Sequence, residues 1–221
     1  MRIFTDRHDA GQYLASLLRN YEGRPDVIVL ALPRGGVPVG AALAEFLGVP
    51  LDIFLVRKLG APGHEELAMG AIASGGVQIL NTDVVRALHV TPEQVQRAVH
   101  REEQELDRRS HEYRDDQPPP MIAGKTVILV DDGLATGATM RVAVRALHLE
   151  HPARIVVAVP VGATDTCATL GDEVDEVVCA EMPEPFYAVG MWYQRFEQTS
   201  DAEVRDLLNE AAAQPVGSAS P

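Results

Sequence analysis

The stretch Val127-Ile128-Leu129-Val130-Asp131-Asp132-Gly133-Leu134-Ala135-Thr136-Gly137-Ala138-Thr139 constrains this chain more than any other. Val127 to Val130 is apolar and largely β-branched with no polar alternation, as expected of a strand in a parallel sheet covered on both faces. Ala135 to Thr139 offers small side chains, a glycine for unusual backbone angles and two hydroxyls, after which Met140 to Leu149 resumes an apolar helical rhythm. Strand, small-residue turn and helix in that order make an anion site. The first N–H groups of a helix lack intrahelical partners and carry partial positive charge, so a phosphate there meets several donors at once. Thr136 and Thr139 can add hydroxyl donors. Asp131 and Asp132 would repel a phosphate in that cup, so they are expected to serve hydroxyls or a divalent cation beside it, and carboxylates suit Mg²⁺. Cup and acidic pair together describe a ribose 5-phosphate; the bland alternative is an ordinary turn with a solvated Asp-Asp.

The same unit recurs upstream. Val27 to Leu32 reads as a second apolar strand, followed by the abrupt turn Pro33-Arg34-Gly35-Gly36-Val37-Pro38 and a helix with Val39, Ala42, Leu43, Phe46 and Leu47 inside. Arg34 supplies a rigid donor fork, and Gly35 and Gly36 let backbone N–H groups approach a ligand, so this is a second candidate anion loop; a tight turn with an exposed Arg is the alternative. A third strand, Leu51 to Val56, is expected to deliver Arg57 and Lys58 at its carboxyl end. Lys58 and Lys125 are the chain's only lysines. Further strands follow at Arg154 to Val161 and, at the edge, Val174 to Cys179. Alternating strands and helices predict an α/β fold with a mostly parallel sheet flanked by helices, which binds ligands at the carboxyl rim of its strands. With 221 residues, 46% of them hydrophobic, one domain over 1–213 is expected, and 214–221 reads as a disordered tail.

Between these units the composition changes. Residues 59–76, rich in Gly, Ala and charge, read as a long loop or hairpin able to move, a frequent form of lid. His64, Glu65 and Glu66 lack the second His of a zinc-protease helix. Thr91-Pro92-Glu93-Gln94 is a helix start with a capping box, and the helix from Pro92 to about Arg114 is heavily charged with a thin apolar stripe, Val95, Val99 and Leu106. That stripe predicts a partly exposed or subunit-contacting helix. Gly124-Lys125-Thr126 precedes its strand and lacks the upstream glycine of a nucleotide-binding P-loop. Met182 to Phe196 concentrates much of the scarce aromatic content, and Phe186 and Trp192 are candidates for stacking on a planar base; aromatic plugs under a carboxyl-terminal lid are the alternative.

A formal charge of −13 argues against general affinity for nucleic acid backbones. Cys167 and Cys179 lack both paired-thiolate metal spacing and the density of a secreted disulfide scaffold, so both are expected to be reduced. No segment reaches bilayer-spanning apolar length and the amino terminus turns polar too soon for a signal peptide, which predicts a cytoplasmic protein without membrane contact.

The 127–139 stretch resembles the phosphoribosyl pyrophosphate (PRPP) binding motif of type I phosphoribosyltransferases. The resemblance implies that Asp131 and Asp132 contact the ribose hydroxyls, with Mg²⁺ held there directly or through water, and that Ala135, Thr136, Gly137, Ala138 and Thr139 hold the 5′-phosphate. It casts Arg34, Gly35 and Gly36 as the pyrophosphate loop, often preceded by a cis peptide, and 59–76 as the catalytic loop behind Arg57 and Lys58. Residues 182–200 become a hood over the acceptor base. Ala135 stands where the hypoxanthine-guanine enzymes carry Asp, so proton handling at a purine N7 by that Asp is absent. The implied activity is Mg²⁺-dependent phosphoribosyl transfer from PRPP to a nitrogenous base, with Asp131, Asp132, Arg34 and Lys58 as the catalytic set, in a homodimer. A PRPP- or nucleotide-sensing regulator and a hydrolase of a phosphoribosyl compound remain the alternatives.

Overall fold

A computed structural model describes residues 1–115 and 117–213; the expected tail, 214–221, lies outside the described residues. In chain order the first half contains α1 (Arg7–Leu17), β1 (Val27–Ala31), α2 (Gly36–Leu47), β2 (Leu51–Ile53), β3 (Val56–Ala61), β4 (His64–Ala73), β5 (Val77–Leu80), α3 (Thr82–Ala87) and α4 (Pro92–Arg114). The second half contains β6 (Thr126–Val130), α5 (Ala138–Leu149), β7 (Arg154–Val161), α6 (Thr164–Leu170), β8 (Glu176–Glu181) and α7 (Asp201–Ala213).

Five strands form a parallel sheet in the order β2-β1-β6-β7-β8. β1 and β6 are buried at every position, which is why their sequences show no polar alternation. One face is covered by α1 and α2, through Leu14, Leu43 and Leu47. The other is covered by α5 and α6, through Met140, Val144, Leu147 and Leu170. α1 begins at the expected cap: the Asp6 carboxylate accepts from Asp9 N at 3.0 Å. No helix among the described residues is long and apolar enough to cross a membrane.

Residues 59–76 take the hairpin form of the two expected, but the single strand expected over Leu51 to Val56 does not form. β2 stops at Ile53, and Arg57 and Lys58 lie inside β3, paired antiparallel with Ile72 and Ala71 of β4. β3, β4 and β5 make a separate antiparallel sheet, so the 59–76 stretch is a hairpin with its turn at Pro62-Gly63, where Gly63 adopts φ 75°. The physical reason is packing. Leu59, Ala61, Met69 and Ile72 bury themselves against Val99 and Leu106 of α4 and Val204 of α7, and small residues between them let the strands close.

α4 carries the expected capping box, with Thr91 and Gln94 each accepting from the other's backbone N–H. Ala98, Val99, Leu106 and Tyr113 pack it against its own chain. The cysteines overturn a second expectation: Cys167 and Cys179 form a disulfide. The β7–α6–β8 crossover brings them together, a proximity that sequence spacing does not report.

Candidate active site

β1 and β6 pair in parallel with Ala31 opposite Val130, so the loops that follow them start side by side. Leu32 N donates to Val130 O at 2.9 Å, extending the pairing one residue beyond β1. The Pro33-Arg34 peptide is cis, as the resemblance implied. The next two residues then lie directly on the acidic pair. A Cβ on Gly35 would stand 2.1 Å from Asp132 Oδ2, and one on Gly36 would stand 2.8 Å from Val130 O and 3.3 Å from Asp131 Oδ1. Only glycine allows this approach.

Both loops run into helices whose first N–H groups face the rim. The N-cap positions, Gly35 of α2 and Gly137 of α5, provide no side-chain cap. The first donors of α2 are nonetheless taken, Gly36 N by Leu32 O at 3.0 Å and Val37 N by Arg34 O at 3.1 Å, whereas at α5 Ala138 N makes only a long 3.5 Å contact to Thr136 Oγ1, so the start of α5 is the more open of the two to an anion. Gly137 sits at φ 69°, and a Cβ there would meet Thr166 Cγ2 at 2.7 Å. The turn is propped from α6, where Thr166 Oγ1 donates to Ala135 O at 2.8 Å. Ala135, Thr136, Ala138 and Thr139 are exposed around it.

Asp131 Oδ1 accepts from Asp132 N at 2.9 Å. Burial, and then the neighbouring charge of Asp132, hold Asp131 well above the usual carboxylate range. Burial also raises Asp132, opposed by hydrogen bonds and charge from Arg7. Two carboxyls this close ionise together only when a cation accompanies them. Arg7 is one such cation: Nε and Nη2 donate to Asp132 Oδ2 at 2.9 and 2.8 Å. Among the described residues no three His, Cys, Asp or Glu side chains form a protein-only metal cluster.

The other cations are distributed unevenly. Arg34 lies 3.7 Å from Asp201 Oδ2 at the start of α7, and Asp201 also accepts from the Tyr113 hydroxyl of α4. Arg57 donates to Glu102 Oε2 of α4 from Nε at 2.9 Å and Nη2 at 2.7 Å. Arg57 shares a small crevice of about 30 Å³ with Pro33, Arg109 and Thr139, which brings it to both loops. Successive strand residues point to opposite faces, so Lys58 projects away from Arg57 and is exposed on the hairpin.

In the hood segment Phe186 and Trp192 pack with Val189 and Phe196 onto Phe4, Val161 and Tyr193. Tyr187, 75% exposed, is the ring that stands free beside them. Val189 closes onto the motif, where a Cβ on Gly133 would meet it at 2.4 Å. Tyr193 is buried, and its hydroxyl donates to Asp132 O at 2.6 Å. Burial, followed by the charge of Asp132, pushes that phenol far above its usual range, so it stays a donor at all ordinary pH.

Residues 7–187 match the phosphoribosyl transferase domain family. The chain belongs to that family. Two relatives in strains of Mycobacterium tuberculosis, named provisionally as phosphoribosyl transferases, are 43% identical over 211 residues, or 96% of this chain. The match covers 47% of each, so the chain spans about half the length of the curated relatives it matches. The crystal structure of protein TT1426 from Thermus thermophilus is 40% identical, with a TM-score of 0.83 over 95% of this chain and 99% of that one. Within this phosphoribosyl transferase domain, Arg7, Tyr193 and Asp201 touch site residues and were not visible as such in the sequence. Arg7 reads locally as the first turn of a packing helix, and its partner Asp132 is 125 residues away.

Proposed function

We propose that the chain binds PRPP and, with Mg²⁺, transfers the 5-phosphoribosyl group to a nitrogenous base, releasing pyrophosphate. One observation carries this reading: the Gly35-Gly36 turn rests on the Asp131–Asp132 pair at the ends of two adjacent parallel strands. A diphosphate at the first turn and a 5′-phosphate at Ala135 to Thr139 leave the ribose lying across the carboxylates.

In this reading Arg34 and the N–H of Gly35 bind the departing pyrophosphate, Gly36 giving the close approach while its own N–H is held by Leu32 O, and Arg57 approaches from the crevice. Catalysis is then electrostatic, since a leaving group with concentrated charge is stabilised by fixed cations and donors. Arg34 and Arg57 would exchange Asp201 and Glu102 for substrate phosphate. Asp131 and Asp132 fix the ribose hydroxyls and favour the positive charge that develops at C1. Mg²⁺ is normally held by one or two carboxylates together with substrate phosphates, which fits an acidic pair with one member already engaged by Arg7; there it would neutralise pyrophosphate charge. Closure of the exposed hairpin tip around Pro62-Gly63 would keep water from the sugar, while Lys58, held in the β3–β4 pairing and pointing away from Arg57, stands outside the constellation. Phe186 and Trp192 form the floor of the base site, with Tyr187 free to cover it.

The test is pyrophosphate release from PRPP with Mg²⁺ across a panel of purines, pyrimidines and other nitrogen acceptors. Turnover with at least one acceptor is expected, and Asp131→Asn combined with Asp132→Asn should abolish it while the melting transition persists. Retained turnover in that variant refutes the site. PRPP binding without pyrophosphate release identifies a sensor, and ribose 5-phosphate formed without any base identifies a hydrolase.

A further inference from the structure

Asp132 is gripped by residues belonging neither to its strand nor to its turn. Arg7 places two donors on a single oxygen, Oδ2, at 2.9 and 2.8 Å. Its remaining nitrogen, Nη1, donates to Glu197 O at 2.7 Å, and the guanidinium carbon lies 4.0 Å from the Phe196 ring centre. The Asp132 carbonyl is held separately by the Tyr193 hydroxyl at 2.6 Å. These anchors are one assembly, because Phe4 N donates to Trp192 O at 2.8 Å, Gln194 N to Phe4 O at 2.8 Å and Arg195 N to Thr5 O at 3.0 Å.

The geometry of the pair is informative. An Arg–carboxylate contact formed only for cohesion favours the fork, two parallel bonds that occupy both oxygens. Here both bonds converge on Oδ2, and Oδ1 accepts no hydrogen bond among the described residues. The Arg7 and Asp132 side chains are 12% and 16% exposed, so the contact is sheltered from the solvent screening that weakens surface pairs. One oxygen is saturated and the other is left open beside the Gly35 turn, 3.3 Å from where a Cβ on Gly35 would stand.

We propose that Arg7 is a positioning residue for the sugar: by fixing Asp132 through Oδ2 it presents Oδ1 to a ribose hydroxyl, and it ties that orientation to the 193–197 segment of the hood. The proposal rests on the phosphoribosyl reading of the site. It makes the first turn of α1 part of sugar recognition without contact between Arg7 and the substrate.

Two probes separate positioning from general support. Ribose 5-phosphate engages both the phosphate turn and the acidic pair, whereas methyl phosphate engages the turn alone. Arg7→Ala should weaken ribose 5-phosphate by about tenfold or more, the scale of one lost charged hydrogen bond, and leave methyl phosphate unchanged. Adding Asp132→Asn to Arg7→Ala should cause no further loss. Arg7→Lys keeps the charge over Phe196 but cannot serve Asp132 and Glu197 together, so it should show a smaller loss, again confined to the sugar. That variant carries the test if Arg7→Ala does not fold. Equal weakening of both probes, or no change in either, overturns the role of Arg7 while leaving the phosphoribosyl site standing. A wild-type protein that binds ribose 5-phosphate no better than methyl phosphate overturns the phosphoribosyl reading and this inference with it.

Discussion

At Gly35 the site depends on the absence of a single carbon. A methyl there would lie 2.1 Å from Asp132 Oδ2, an oxygen that Arg7 already holds from the other side, so neither the loop nor the carboxylate can yield without breaking that contact. Gly35→Ala should therefore destabilise the fold by about 1–3 kcal/mol, the usual cost of overpacking, and weaken PRPP binding much more than Gly63→Ala at the exposed hairpin turn. Thermal melts and calorimetric titration of PRPP into both variants check this; equal PRPP affinity in the two would contradict the geometry. Residues of this kind were legible because their chemistry is consecutive: acidic pair, small turn and paired glycines each announce themselves within a few positions. Arg7 and Tyr193 were not. Their meaning comes from contact with Asp132 across 125 and 61 residues, which no local pattern records.

Among the elements, α4 explains how the cation-bearing segments are held. Glu102 takes Arg57 of the hairpin, Tyr113 takes Asp201, which in turn faces Arg34, and Arg114 donates to Asp52 Oδ1 at 2.9 Å and to Ile53 O at 2.7 Å. Its charged sequence gave the capping box and the length correctly, yet the same charges that looked solvated are partly internal partners. Arg114 is the extreme case, with a side chain 6% exposed. Arg114→Leu should cost about 3–5 kcal/mol, because it strands the Asp52 carboxylate, and the Asp52→Asn/Arg114→Leu pair should recover much of that loss in urea denaturation. Glu102 supplies a pH signature. Burial acts to raise its carboxyl, but hydrogen bonds from Arg57 and Arg101 outweigh burial and hold it below the usual range. A depressed folded pKa means that its stabilisation is complete above the unfolded value of about 4.3 and fades as pH falls through the folded one. Glu102→Gln should thus be less stable than wild type at neutral pH and converge with it in acid, a difference that urea midpoints across pH 3 to about 7 would reveal.

For the whole molecule, parallel strands and their order of appearance made the α/β architecture readable, while the second sheet and the disulfide had to come from three-dimensional packing. The disulfide bears on the site through α6. Cys167 and Cys179 lie against Gly162, where a Cβ would meet their Sγ atoms at 2.4 and 3.3 Å. Gly162 in turn bridges to Leu134 of the motif, and Thr166, one residue before Cys167, supports the phosphate turn through Ala135. The bond therefore fixes α6 against β8 while α6 fixes the turn. Closing a loop of this size, with a sequence separation of 12, stabilises a fold by roughly 3 kcal/mol through the unfolded chain alone. Cys167→Ser with Cys179→Ser should lower the urea midpoint by an amount matching that figure and also weaken methyl phosphate, because the support beneath Ala135 loosens. A dithiol reductant should reproduce both effects in wild type and neither in the double variant. If reduction shifts the midpoint but leaves phosphate affinity intact, the disulfide braces the sheet edge only, and the turn depends on Thr166 and Gly137 by themselves.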